Sequence, residues 1–254
     1  MNVRSIPTMA LLVAILVLPG CGADRGSGAL GAVAPRVGAS TAVAGTGGAP
    51  LVEVPFDPAN FVARVDNPFF PLTRGTVLSY SDGTETDQLE VTRDTKNILG
   101  VAVTVVHDRV YVAGSLTEDT LDWYAQDGAG NVWYFGEDTK ELDHGVVTST
   151  EGSWEAGVNG AKAGIIMLAH PALGDTYYQE NAPGVVADQG RVKGLNETAT
   201  VPYGTFTGCV KTQEWTPLEP GNRAFKFYAS GFGTVLEVPN RGEGPVELVA
   251  VTRP

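Results

Sequence analysis

From residue 53 onward, turn-forming residues interrupt this chain at intervals that suit strands and leave little room for helices of ordinary length. Glycine occurs 32 times and proline 16 times in 254 residues, and the runs between the Gly, Pro, Asn and Asp clusters are β-prone. They read as strands at about 76–81, 87–93, 98–113, 116–126, 131–136, 145–150, 190–201, 205–215, 223–229, 233–238 and 246–252. Ten or more short strands at such spacing predict an all-β fold: a single curled antiparallel sheet, a barrel or half-barrel, with little helix. Asp57 before Pro58 predicts one short helical turn, because Asp caps and Pro suits the first helical position. Residues 152–189 fit the strand pattern least. They carry eight Gly and Pro and read as one long irregular excursion with a helical turn at Ile165-Ile166-Met167.

The N-terminus has a different character. Arg4 precedes the apolar stretch Met9 to Leu18, and Pro19-Gly20-Cys21 follows, the charged, apolar and small-residue layout of an export signal. Leu18-Pro19-Gly20-Cys21 resembles a bacterial lipobox, with Pro19 where a small residue is usual. That resemblance implies cleavage before Cys21 and acylation of its thiol, so that lipid chains hold the protein at a membrane surface. The expected organisation is a signal over 1–21, a Gly/Ala-rich tether over 22–52 and an all-β domain over 53–254. In 22–50, 16 of 29 residues are Gly or Ala and none is aromatic, too little apolar surface to offset the entropy of ordering.

Once Cys21 carries lipid, Cys209 has no partner for a disulfide within the chain. Cys209 lies in the strand-like run Thr205 to Val210, which reads as buried packing rather than a nucleophile. Seventeen basic against 29 acidic residues give a net charge of −12, so a phosphate backbone would be repelled and a nucleic-acid partner is not expected.

One hairpin is plain. The runs Leu121 to Gln126 and Val132 to Phe135 flank Asp127-Gly128-Ala129-Gly130-Asn131, whose glycines permit a tight return. By alternation Glu118, Thr120, Asp122 and Tyr124 share one face, expected to point to solvent, while Trp123 on the other enters the core. The segments Asp119 to Asp127, Gly130 to Glu137, Glu151 to Gly157 and Trp215 to Gly221 resemble a family of bacterial exported lipoproteins, over roughly 56–238. The ending Tyr228-Ala229-Ser230-Gly231-Phe232-Gly233-Thr234-Val235-Leu236-Glu237 resembles the closing strands of DUF3108-like envelope proteins, with Ser230 where Pro is usual and Thr234 in place of an apolar residue. These resemblances imply a curled antiparallel sheet and bring no activity or catalytic residue with them.

Residues 118–155 hold ten carboxylates against one base, Lys140. Crowded carboxylates repel unless solvated or bridged by a cation, and Ca²⁺ takes six to eight oxygen ligands. Asp119, Asp122, Asp127, Glu137 and Asp138 are therefore the candidate ligands of a divalent cation, Ca²⁺ first; the alternative is a solvated acidic face. A carbohydrate-active enzyme would instead use two carboxylates among Asp119, Asp122, Glu137, Glu151 and Glu155, facing an aromatic-lined cleft. Trp123, Trp133, Trp154 and Trp215 could line it, though large aromatics usually serve a core. Carriage of an apolar ligand is a third reading and requires a roomy concave face of Val, Ile, Leu and Phe. Of three histidines, His170 in the irregular excursion is the candidate ligand contact; His107 and Asp108 face opposite sides of one strand. The chain lacks a nucleophile elbow, a phosphate-binding loop and a Cys-x-x-Cys pair. The residues thus point to a lipid-anchored extracytoplasmic binding or structural module more than to an enzyme.

Overall fold

The computed structural model describes residues 51–241 and 244–254; the signal, Cys21 and the tether as far as residue 50 lie outside the described residues. Asp57 caps a 3-10 turn at Pro58–Asn60, its Oδ1 accepting from Ala59 N at 2.9 Å, as the Asp-Pro pair predicts. Strands β1 (Phe61–Val62), β2 (Val77–Ser81), β3 (Glu85–Ile98), β4 (Val101–Val112) and β5 (Ser115–Asp127) follow. Next come β6 (Val132–Asp143), β7 (Val146–Ser149), β8 (Trp154–Glu155) and β9 (Lys162–Met167). After β10 (Thr176–Tyr178) and β11 (Glu180–Asn181), the chain closes with β12 (Gln189–Val201), β13 (Gly204–Trp215), β14 (Arg223–Ala229), β15 (Gly233–Pro239) and β16 (Val246–Thr252).

All named pairings are antiparallel and run in the order β10-β12-β13-β14-β15-β16-β2-β3-β4-β5-β6-β9-β11, a single nearly closed barrel. The long strands lie where the turn signals place them. The expected run 98–113 splits at Leu99-Gly100, where both residues take positive φ, so Ile98 ends β3 and Val101 begins β4. The excursion is the main correction. Ile165-Ile166-Met167 is no helical turn: it lies in β9, where Ile165 pairs with Trp133 and Met167 with Val132. Four strands of two to six residues thread 154–181.

Residues 51–62 wrap the outer side of the β5–β6 hairpin, and beyond them the Phe70 ring packs 5.2 Å from that of Tyr124. Phe61 and Val62 pair with Asp127 and Gln126, and the rings of Phe56 and Phe61 lie 5.5–6.0 Å from Trp133 and Phe135. Trp133 and Phe135 thus find apolar cover outside while Tyr134, between them, points in. The strap begins at Leu51, since Leu51 bridges Thr176 and Val52 N donates to Thr176 O at 2.6 Å; these last two residues of the expected tether already join the barrel. Beyond bulges between Val192 and Ala199, the outer half of the β12–β13 hairpin folds toward β15 and β16. There Tyr203 N donates to Leu248 O, and Ala199, Val201 and buried Cys209 pack with Val235 and Leu248. Burial pushes the Cys209 thiol up, which suits packing.

Candidate functional site

Strand register shows what lines the barrel. Along one row Val91, Val106, Asp122 and Glu137 stand side by side across β3, β4, β5 and β6; along the next stand Leu89, Asp108, Thr120 and Thr139. On the opposite wall Val192, Thr212, Lys226 and Glu237 form a row across β12 to β15. These residues are buried, apart from half-buried Leu89. The face of β5 bearing Glu118, Thr120, Asp122 and Tyr124 therefore points inward, reversing the expectation that it meets solvent. Alternation had sorted the residues into two faces correctly; the face expected to meet solvent lines the interior, and the face of Trp123, expected to enter the core, is the outer one, on which the strap packs.

The interior is acidic. Asp87, Asp108, Glu118, Asp122, Glu137, Glu180, Asp188, Glu214 and Glu237 are all buried, and the buried cation among the described residues is Lys226. Lys226 Nζ lies 3.1 Å from Glu214 Oε2 and 3.6 Å from Glu237 Oε2. Its charge, with hydrogen bonds from Thr212 and Tyr228 at 2.7 and 2.8 Å, holds Glu214 below the usual carboxylate range despite burial. Seven of the other acids go the other way. Burial, then neighbouring carboxylates, push Glu118 and Glu137 up to about 8 and Asp188 to about 7, with Asp87, Asp122 and Glu180 raised well above their ordinary values. Asp122 and Glu137 share a donor: Tyr134 OH lies 2.7 Å from Asp122 Oδ1 and 3.2 Å from Glu137 Oε2. Asp122 Oδ2 and Glu180 Oε2 have no hydrogen-bond partner.

The candidate cation ligands do not gather. Asp122 and Glu137 meet inside, but Asp119 lies on the outer face, 3.2 Å from His107 Nε2, and Asp138 pairs there with Lys140 at 2.9 Å. Asp127 serves the hairpin: Oδ1 accepts from the backbone N–H groups of Ala129, Gly130 and Asn131, and Oδ2 from Asn131 Nδ2 and Trp133 Nε1. Among the described residues no three His, Cys, Asp or Glu side chains are placed to hold a metal ion. The carboxylates named for sugar chemistry also divide between faces, because Glu155 pairs with Lys96 outside and Glu151 is exposed. Trp123, Trp133 and Trp154 are buried and line no open cleft. An apolar carrier would need an inner face of Val, Ile, Leu and Phe; here carboxyls and tyrosines interrupt the valines.

His170 lies beside an open pocket of about 550 Å³ with Asp66, Phe69, Gln126, Leu195 and Val210 in its lining. The segments at 66–69, 126–131 and 168–171 meet there and are tied to one another, with Leu195 and Val210 completing the lining. Gln126 Oε1 accepts from the backbone N–H of Asp66 and Asn67 at 2.8 and 2.7 Å, while Gln126 Nε2 donates to Asp66 Oδ1 at 2.8 Å. Asn67 Nδ2 reaches Gly130 O and Leu168 O, and Asn131 Oδ1 accepts from Ala169 N. The walls are thereby fixed, and His170 and Asp66 stay exposed at the rim. Sequence reading named His170 as a candidate but not Asp66, Gln126 or Leu195, which come from segments up to 129 positions apart and carry no joint motif.

No family model and no curated protein matches the chain, so the DUF3108-like pattern rests on residues 228–237 alone. Among solved structures the chain is similar to a crystal structure of a protein from Parabacteroides distasonis ATCC 8503, provisionally described as a lipoprotein. The two share 12% identity at a TM-score of 0.39, over 73% of this chain and 99% of the other.

Proposed function

We propose that this chain is a lipid-anchored, extracytoplasmic binding module that holds a small molecule in the His170 pocket. The anchor follows from the export signal and Leu18-Pro19-Gly20-Cys21. The observation that carries the binding site is the pocket itself, a concavity of about 550 Å³ in which the segments at 66–69, 126–131 and 168–171 are cross-linked by the Gln126, Asn67 and Asn131 side chains. Pockets of this size with a mostly apolar lining and a few polar groups suit small ligands. Phe69, Leu195 and Val210 offer surface to an apolar body, while the Asp66 carboxylate and His170 imidazole offer polar contact at the rim. With the chain at −12, a neutral or cationic head group is favoured over an anionic one.

The test is a titration of the full chain in detergent with N-phenyl-1-naphthylamine, a neutral fluorescent probe of apolar pockets. Saturable binding near one per chain is expected, with Leu195→Trp, which fills the pocket from an exposed position, weakening it at least about tenfold, or 1.4 kcal/mol. Absence of saturable binding, or equal binding by the variant, would overturn the reading.

A further inference from the structure

Every long ladder of the barrel continues directly into the next except at one seam. β9 and β12 do not pair with each other; residues 176–181 bridge them, with β10 on β12 over three residues and β11 on β9 over two. The bridge fits because two glycines leave room: a Cβ at Gly164 would collide with the carbonyl of Gln179, and one at Gly190 would crowd Tyr177 and Gln179. Further bonds hold it, from Gln179 N and Glu180 N to Asp188 O at 2.8 and 3.2 Å, from Val52 N to Thr176 O at 2.6 Å and from Arg191 Nε to Thr176 Oγ1 at 2.8 Å.

Behind this short seam stands the acidic interior. Glu180 is buried with Oε2 unpartnered, and the charged groups acting on it come from each surrounding element: Asp188 from the loop before β12, Glu137 from β6, Asp122 from β5 and Lys226 from β14. Tyr124 and Tyr134 also sense its charge. Lys226 gives limited relief, being held by Glu214 and Glu237 on the far wall.

We propose that residues 176–181 form a carboxyl-gated latch, closed while Glu180 and Asp188 are neutral and released outward when they ionise beside Asp122 and Glu137. Neutral carboxyls can be buried next to one another, whereas ionised ones repel and call for water. The latch is the element that yields, since ladders of only three and two residues hold it and the buried carboxyls stand directly behind it, while β12–β13 and β3–β4 are paired over many residues. Asp188 at about 7 and Glu137 at about 8 place the onset of release near neutral pH. Release uncovers Tyr177, now 1% exposed, and admits solvent to the acidic rows. This device is independent of the His170 pocket.

Hydrogen exchange by mass spectrometry on the full chain in detergent tests it, at about pH 5.5 and about pH 8.5 with labelling times scaled to the intrinsic amide rate. One linked proton shifts an opening equilibrium about tenfold per pH unit. Peptides covering 176–182 should therefore lose at least about tenfold protection at the higher pH relative to β13–β14 peptides, and Glu180→Gln, which mimics the neutral acid, should retain it. Asp188→Asn provides a second reading should the first variant fail to fold. Seam protection that is independent of pH, or lost equally in these variants, would overturn the latch.

Discussion

Asp122 and Glu137 face each other across β5 and β6 and share the hydroxyl of Tyr134, an arrangement stable only if at least one of them keeps its proton. The same holds for Asp87 and Asp108, each raised by burial and coupled to the other. A carboxyl whose folded-state pKa lies above its unfolded value binds its proton more tightly when folded. Its contribution is complete below the unfolded pKa and is lost as pH rises through the folded one. For Glu118 and Glu137 that window runs from the ordinary value of 4.5 to about 8, and for Asp188 from 3.8 to about 7. Glu214 opposes the trend as a lowered acid, its stabilisation present above the unfolded pKa and lost as pH falls through the folded one. The sum predicts a domain more stable at pH 5 than at pH 8, with Tm falling by about 5–10 °C for a loss of a few kcal/mol in a domain of this size. Thermal unfolding followed by circular dichroism across that range checks it; a Tm that rises from pH 5 to pH 8 would show that the interior acids are ionised in the folded state. Sequence placed Asp122 and Tyr124 on one face but not which face it was. Alternation fixes the partition, and the sign depends on what covers the other side, which here is a strap more than 50 positions away.

The β5–β6 hairpin shows what local sequence does determine. Asp127 begins its return, Gly130 takes φ 100°, and the Asp127 carboxylate satisfies three backbone N–H groups that a tight loop would otherwise leave open. It also accepts from Asn131 and from the indole of Trp133, which fixes that ring against Phe56 and Phe61. Asp127→Ala removes an acceptor that is 7% exposed and leaves several donors unpaired, at about 1–3 kcal/mol each before relaxation. A net loss of about 2–4 kcal/mol is expected, read by urea denaturation with the slope unchanged. A loss under about 0.5 kcal/mol would show that water replaces the carboxylate without cost. Elements of this kind, long strands with Gly, Asn or Asp at their ends, were legible, though β3 runs five residues past its expected end at 93 and β6 seven past its expected end at 136. The short strands were not: β10 and β11 have three and two residues, too few to show a period. Ile165-Ile166-Met167 is an apolar run of the length at which a buried strand and a helical turn look alike.

At the scale of the molecule, the barrel, its strap and the proposed anchor lie in series along the chain. The strap enters the sheet at Leu51 and Val52, which bond to Thr176 at the start of the seam, so whatever precedes residue 51 joins the domain beside the three-residue β10–β12 ladder. No helix among the described residues is long and apolar enough to cross a membrane. The proposed attachment therefore rests on Cys21. One acyl chain gives only marginal membrane binding, whereas two or more hold firmly, since each buried CH₂ contributes about 0.8 kcal/mol. Cys21→Ala removes the acylated thiol and leaves Arg4 and the apolar stretch Met9 to Leu18 intact. The variant should still be exported, lose incorporation of labelled fatty acid, and shift from the membrane pellet toward the soluble fraction. The tyrosine-rich barrel should unfold at the same temperature as in the wild type, because Cys21 lies 30 positions before the first residue bonded to the sheet. Fatty-acid labelling that persists in the variant would refute the lipobox reading. Membrane retention without labelling would instead mean that the signal stretch is not removed and holds the chain itself, so the two measurements together separate a lipid anchor from an uncleaved one.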